Sequence, residues 1–298
     1  MNSTALQGSI PPLSSLERFI SHTYDQNRFL VLDCYASEFF ESRLDSFGIE
    51  ESARFRMPVH TVEGDSSDPL LVHLNEENAE TLMQAALEQA VGDTLYSPLR
   101  SRSISAVISS ASEPEHVAGN FARAARYHMR GESKSVAFRF FDPRVMHTLQ
   151  RLLSPLQTAM LLGPVTYWGY VDFRAQFRLV TNTSPRYSSS VVIQDEQVSV
   201  LRRNATVQTA LYRLRKFRAN WPEDLDALLD GFLQHAPEEL HDVDISHRVD
   251  DLATYAALHW LCDTGHADRQ LIEQALKMGF DTGAPLKAVL ETLSPDLF

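Results

Sequence analysis

Residues Ser135-Val136-Ala137-Phe138-Arg139-Phe140-Phe141-Asp142-Pro143 decide how this chain is read. A short run rich in apolar residues and phenylalanines ends on an aspartate, and a proline follows at once. The run predicts a strand over Ser135–Phe141, with Arg139 on the sheet face opposite Phe138 and Phe140. Asp142-Pro143 predicts a helix start, because an Asp side chain accepts free N–H groups of a first turn and Pro brings its φ preset. As a cap alone, Asp142 would tolerate Asn and lose about 1 kcal/mol on replacement by Ala.

The same switch from strand to helix recurs on both sides. Upstream, Arg28–Asp33 is a short apolar run, and Ser37 is placed to cap a helix ended by Gly48. Arg54–His60 and Pro69–Leu74 predict strands, and Asn75 predicts the cap of a helix reaching about Val91. Ser103–Ser109 predicts another strand, followed by Ser112 and Glu115 as a capping box with Pro114 between them and a helix to about Met129. Downstream, Ser154-Pro155-Leu156-Gln157 repeats that device, Gly163-Pro164 closes the helix, and Val165–Val180 is aromatic and strand-like. The alternation implies an α/β N-terminal lobe, residues 1–185, with helices on a mixed or parallel sheet. Two consecutive strand-like runs before residue 75 argue against a doubly wound nucleotide fold.

The pattern changes after Thr181–Ser190, a stretch of turn formers that marks the domain boundary. Val191–Ile193 and Val198–Val200 predict a hairpin around Gln194–Gln197. From about Thr206 the chain reads as helix, with Val207, Leu211, Leu214, Phe217 and Trp221 on one stripe. Later helices are expected over Val249–Asp263, Ala267–Met278 and Ala284–Leu293, stopped by Gly265 and Gly279. Residues 186–298 thus form a mainly α-helical C-terminal lobe.

With 298 residues, 44% of them hydrophobic and 22% charged, the chain can bury a sizeable core. A net charge of −12 opposes general nucleic-acid binding, which depends on neutralising phosphates. The first residues lack the basic and apolar regions of a secretion signal, and no stretch is long and apolar enough for a membrane span. Cys34 and Cys262 sit among apolar neighbours and read as buried free thiols in a reducing, cytoplasmic setting.

The block Phe138–Val145, followed by Leu152-Leu153-Ser154-Pro155 and Leu162-Gly163-Pro164-Val165, resembles the VasW-like adaptors of bacterial type VI secretion systems, the family called domain of unknown function 4123. The shared pattern is Arg139-Phe140-Phe141-Asp142-Pro143-Arg144, a helical segment, and Gly163-Pro164 about twenty residues on. The resemblance covers roughly residues 28–172, and its usual glycine- and proline-bearing segment has no counterpart between residues 50 and 70. It implies a non-enzymatic chaperone-adaptor that binds a toxic effector in the cytosol and helps load it onto the VgrG spike. Phe140, Phe141, Asp142, Pro143, Gly163 and Pro164 are its structural residues.

Other readings rest on particular side chains. Asp33, Asp142 and Arg139 would serve a small-molecule hydrolase or transferase if they converged in a cleft with no helix to cap. Arg139 has two alternatives: pairing with a buried carboxylate such as Asp33, or facing a cleft. Arg144, in a helix first turn, opposes the macrodipole and calls for an acidic partner. Between Gln197 and Pro222 stand Arg202, Arg203, Arg213, Arg215, Lys216 and Arg218 with no acid, whereas Glu223–Asp251 holds ten acids against Arg248. That swing suits an intramolecular pairing, a protein-recognition surface or a nucleic-acid-binding regulator. The candidate partner contacts are Arg139, Arg144, Arg213, Arg215, Lys216 and Trp221. His259, Cys262, Asp263 and His266 have helix-face spacing for a metal, but Gly265 is expected to end the helix before His266, so no metal or other cofactor is expected. No Gly-x-Ser-x-Gly elbow and no Gly-rich phosphate loop is present.

Overall fold

The computed structural model describes residues 13–34, 40–59, 68–100, 102–128, 135–185, 191–241, 245–295 and 297. The expected cap at Ser37, the end of the run at His60 and the helix end at Met129 lie outside them. The chain divides into two compact units, residues 1–193 and 194–298.

The first unit runs α1 (Leu13–His22), β1 (Asn27–Leu32), 3-10 turns over Glu41–Phe47 and Glu51–Ala53, β2 (Arg54–Arg56) and β3 (Leu70–Leu74). It continues with α2 (Ala79–Tyr96), β4 (Ile104–Ser110), α3 (Pro114–Ala124), β5 (Arg126–His128), β6 (Ser135–Ala137), α4 (Pro143–Leu152), α5 (Pro155–Leu162), β7 (Val165–Val171) and β8 (Phe177–Thr181). Six strands form one sheet in the order β2-β3-β1-β4-β7-β8, and β5 and β6 form a separate hairpin.

The fold class is the expected α/β lobe followed by a mainly helical one, but every pairing in the large sheet is antiparallel. The reason is topological. β3 and β4 each pair antiparallel with β1, so they run parallel to each other across the crossover helix α2, with β1 inserted between them. This split β-α-β arrangement keeps the strand–helix alternation of a parallel sheet without any parallel neighbours.

Both sheet faces are covered, which explains why β1 is buried at successive positions, from Phe29 to Leu32. On one face Leu30 and Leu32 pack with Phe19 of α1 and Leu82, Met83 and Ala86 of α2. On the other, Phe121 of α3, Phe140, Phe141 and Trp168 of β7 form an aromatic cluster with centroid separations of 4.8 to 6.1 Å. Full burial of one such side chain is worth about 1.5–3 kcal/mol.

That cluster corrects the reading of the opening stretch. β6 ends at Ala137, and Phe138–Phe141 turn instead of extending. Phe140 N–H donates to Phe138 O at 2.8 Å and Asp142 N–H to Arg139 O at 3.0 Å. The turn brings the adjacent Phe140 and Phe141 into the core together, which an alternating strand could not do. Ser112 is not the cap of α3; that position is Glu113, without a side-chain cap bond. The second capping box is present at Ser154, which accepts from Gln157 N–H while Gln157 Oε1 accepts from Ser154 N–H.

The second unit is helical: α6 (Asp195–Arg213), a 3-10 segment (Leu214–Asn220), α7 (Leu225–Gln234), α8 (Glu238–His241), α9 (Ile245–Asp263), α10 (Arg269–Thr282) and α11 (Leu286–Leu293). The expected hairpin at Val191–Val200 is overturned. Gln194 and Gln197 make a reciprocal capping box, and α6 starts at once. Gly265 does end α9, with φ 75°. Gly279 lies inside α10, and the left-handed stop is Gly283.

Candidate functional site

The segment that joins β6 to α4 ends against the carboxyl end of β1. Asp142 is the N-cap of α4: its Oδ1 accepts the Arg144 backbone N–H at 2.9 Å. The same carboxylate takes Arg144 Nε at 2.9 Å and Nη2 at 2.6 Å, a two-point ion pair. Beside it, the Arg139 guanidinium pairs with the Asp33 carboxylate and lies 5.5 Å from the centroid of the Phe141 ring. Asp33 is held by its own backbone N–H, which donates to Ser103 O at 3.0 Å. Both acids are buried, at 2% and 5% exposure.

The electrostatics follow from this knot of two acids and two arginines. Burial pushes the Asp142 pKa up, but the hydrogen bonds and charge of Arg144, with help from Arg139, outweigh it and hold the carboxyl below its usual value. Burial likewise works against the Arg144 charge, and the contacts with Asp142 and the nearby Asp33 reverse the effect and raise its pKa. A carboxylate locked in its charged form by a two-point arginine pair is poorly suited to shuttle protons at neutral pH. Asp33, Asp142 and Arg139 do come together, but with Asp142 engaged as a helix cap.

The Gly163-Pro164 element is tied to its surroundings as well. Gly163 adopts φ 58° and ψ −119°, and a Cβ there would sit 2.2 Å from the Asn120 side chain of α3. Its carbonyl accepts from Asn182 Nδ2 at 3.0 Å, while Pro164 O accepts from Ser110 Oγ at 2.7 Å. Gly is required here because both the left-handed backbone and the close approach exclude a side chain.

In the second unit the basic helix is divided by its own faces. Arg203 grips Asp230 of α7 through Nε at 2.6 Å and Nη2 at 3.1 Å. Arg213, buried, pairs with Asp250 of α9. The acidic stretch therefore does fold back on part of the basic strip. Arg215 and Lys216 remain exposed, with Arg215 4.1 Å over the Tyr212 ring and Lys216 5.3 Å from Phe217. Trp221 is buried, and its indole N–H donates to Leu214 O at 3.3 Å.

Of the six candidate contacts, Arg139, Arg144 and Arg213 are ion-paired inside their own units and Trp221 is core; Arg215 and Lys216 face solvent. Cys34 is buried, and burial together with the neighbouring Glu41 pushes its thiol up to about 12, which removes nucleophilic character. Cys262 is only half-buried, contrary to the sequence reading, and burial and Asp263 raise its pKa too. Among the described residues no group of three or more His, Cys, Asp or Glu is placed to hold a metal ion. His259 and His266 instead stack near aromatic rings: Tyr255 at 4.4 Å for the first, Phe217 at 4.8 Å for the second.

A hollow of about 250 Å³ in the second unit lies between α10, α11 and Leu240 of α8. Its one acid, Asp251, accepts the Leu286 N–H at 2.7 Å and so serves the start of α11. Among the described residues no helix is long and apolar enough to cross a membrane. No protein-family model, no curated protein and no solved structure matches this chain.

Proposed function

We propose that this chain is a cytoplasmic, non-enzymatic adaptor-chaperone of type VI secretion, which binds a toxic effector and helps load it onto the VgrG spike. The observation that carries the reading is the state of the Arg139–Arg144 block, the stretch on which the resemblance to VasW-like adaptors rests. Its acid is engaged as cap and arginine partner, and its phenylalanines are core. That arrangement favours a scaffold over the hydrolase or transferase reading, which required Asp33, Asp142 and Arg139 to meet with no helix to cap. Pairing of Arg203 and Arg213 with acids of the same unit counts against a nucleic-acid strip, since it neutralises cations that phosphates would need.

The test is co-expression with a toxin encoded beside the gene. A stable complex and a higher soluble yield of the toxin are expected. Failure to bind any such toxin, together with turnover of a small molecule, would overturn the proposal.

A further inference from the structure

β8 is the last strand of the large sheet and, among the described residues, pairs only with β7. The direction of its backbone groups follows from two bonds across to β7 and its turn. Asp172 N–H donates to Gln176 O at 2.9 Å, and Asn182 N–H donates to Thr166 O at 2.8 Å. Groups alternate along an antiparallel strand, so the even-numbered residues face β7, and Phe177, Leu179 and Thr181 turn their N–H and C=O outward.

A hollow of about 380 Å³ runs along this edge, lined by residues 179–183 on one side and by the ends of α4 and α5, including Gln150, Pro155 and Thr158, on the other. Three consecutive strand residues, Leu179 to Thr181, line it with the two that follow, and strand side chains alternate between faces, so the hollow follows the edge itself. Its surroundings include exposed apolar groups: Leu179 on the strand, Leu156 on α5, and Val192, whose carbonyl accepts from Gln157 Nε2 at 2.8 Å.

The charge at this edge runs opposite to the acidic balance of the whole chain. Residues 145–185 carry three arginines, Arg151, Arg174 and Arg178, and a single acid, Asp172, in a protein of net charge −12. Asp172 is buried and accepts from Arg174 N–H, Gln176 N–H and Arg178 Nε, so it pins the β7–β8 turn. Arg178 stands on β8, Arg174 in the turn before it, and Arg151 beside Gln150 at the end of α4.

We infer that the free edge of β8 is a docking strand for an extended, acidic segment of a protein partner, which adds to the sheet as a further strand. Outward main-chain groups supply the pairing, the apolar rim takes alternate side chains, and the excess of arginine selects acidic ones. A second copy of this chain is the poorer occupant, because edge-to-edge pairing would bring Arg174 and Arg178 of both copies into one seam. The inference rests on the reading that the chain binds a protein, and names the kind of segment bound.

Fluorescence polarisation of the full chain tests it with labelled octapeptides: alternating glutamate and valine, alternating lysine and valine, and a fully N-methylated glutamate–valine peptide. Saturable binding of the first is expected, weakened by salt, with at least tenfold loss for the other two. Thr181→Pro removes an outward N–H and leaves the β7 side intact, and is expected to lose at least tenfold with an unchanged melt. If that variant fails to fold, the N-methylated peptide on the unaltered chain still decides. Equal affinity for all three peptides, or no binding, overturns the inference; so does a dimer of the unaltered chain that Thr181→Pro dissolves. Co-purification of a neighbouring toxin without peptide binding would sink the edge and leave the adaptor reading. Peptide binding without any toxin partner would sink the adaptor reading and leave the edge.

Discussion

Two arginine-bearing stretches look alike as strings and behave differently as structure. In the block 139–144, both arginines are consumed by buried carboxylates next to where the chain turns from hairpin to helix. In the stretch 202–218, helix geometry sorts them: Arg203 and Arg213 turn toward α7 and α9 and meet acids, whereas Arg215 and Lys216 turn outward over aromatic rings. Cation content thus says little about availability. What decides is whether a carboxylate stands on the face the cation reaches.

The contrast makes the first stretch the costlier one to disturb. Asp142→Ala should lose about 3 kcal/mol or more in a denaturant melt, because it removes a cap worth about 1 kcal/mol and strands Arg144 beside a buried pair, where breakage costs about 3–5 kcal/mol. Asp142→Asn keeps the cap and loses the charge, so it should fall between Ala and the unaltered chain, not near neutrality as a cap alone would imply. An Asn variant as stable as the parent would break the comparison.

Acid provides a second test. The Asp142 pKa is lowered in the fold relative to about 3.9 in an unfolded chain, so its contribution is complete above that value and is lost as pH falls through the folded one. The steep acid limb below about pH 4 should therefore flatten in Asp142→Asn. Between pH 7 and 5 both units should lose stability together, since burial lowers the pKa of His73 in the first and His259 in the second. Each must gain a proton against the fold as pH drops, and imidazole titrations by NMR should place both midpoints below about 6.5.

Smaller effects belong to the second stretch. Arg213→Gln should cost about 1–2 kcal/mol, a fall of several degrees in Tm, because the half-exposed Asp250 can resolvate. Arg215→Gln with Lys216→Gln should leave the melt within about 1 °C and act only on partner association, making it slower and less sensitive to salt. A double variant that melts several degrees lower would show that these cations, too, hold the fold.

How much of this was legible depended on how local the device was. Asp142-Pro143 and Ser154-Pro155 announced their helices because cap, proline and first turn are adjacent in the chain. The start of α6, before Thr206, was hidden for the opposite reason: glutamine is a rare cap, and the valines around Gln194 carry strand propensity that the helix overrides. Phe140 and Phe141 could not be placed without knowing that Phe121 and Trp168 wait on the same sheet face. For Arg139 the sequence leaves two alternatives open, and the pair with Asp33 is one of them. The pairing of Arg203 and Arg213 with particular acids depended on helix packing that a charge count does not contain.

The position of β1 has a consequence for how the chain is made. It precedes the other strands of its sheet, is apolar from Phe29 to Leu32, and its two neighbours begin only at Leu70 and Ile104. Closing such long loops carries an entropic cost before any pairing offsets it, so the sheet should assemble slowly and late. During translation one edge of this strand must remain unpaired until β3 has left the ribosome, and the other until β4 has. A nascent chain arrested before residue 104 should therefore be the species most prone to self-association and most sensitive to protease.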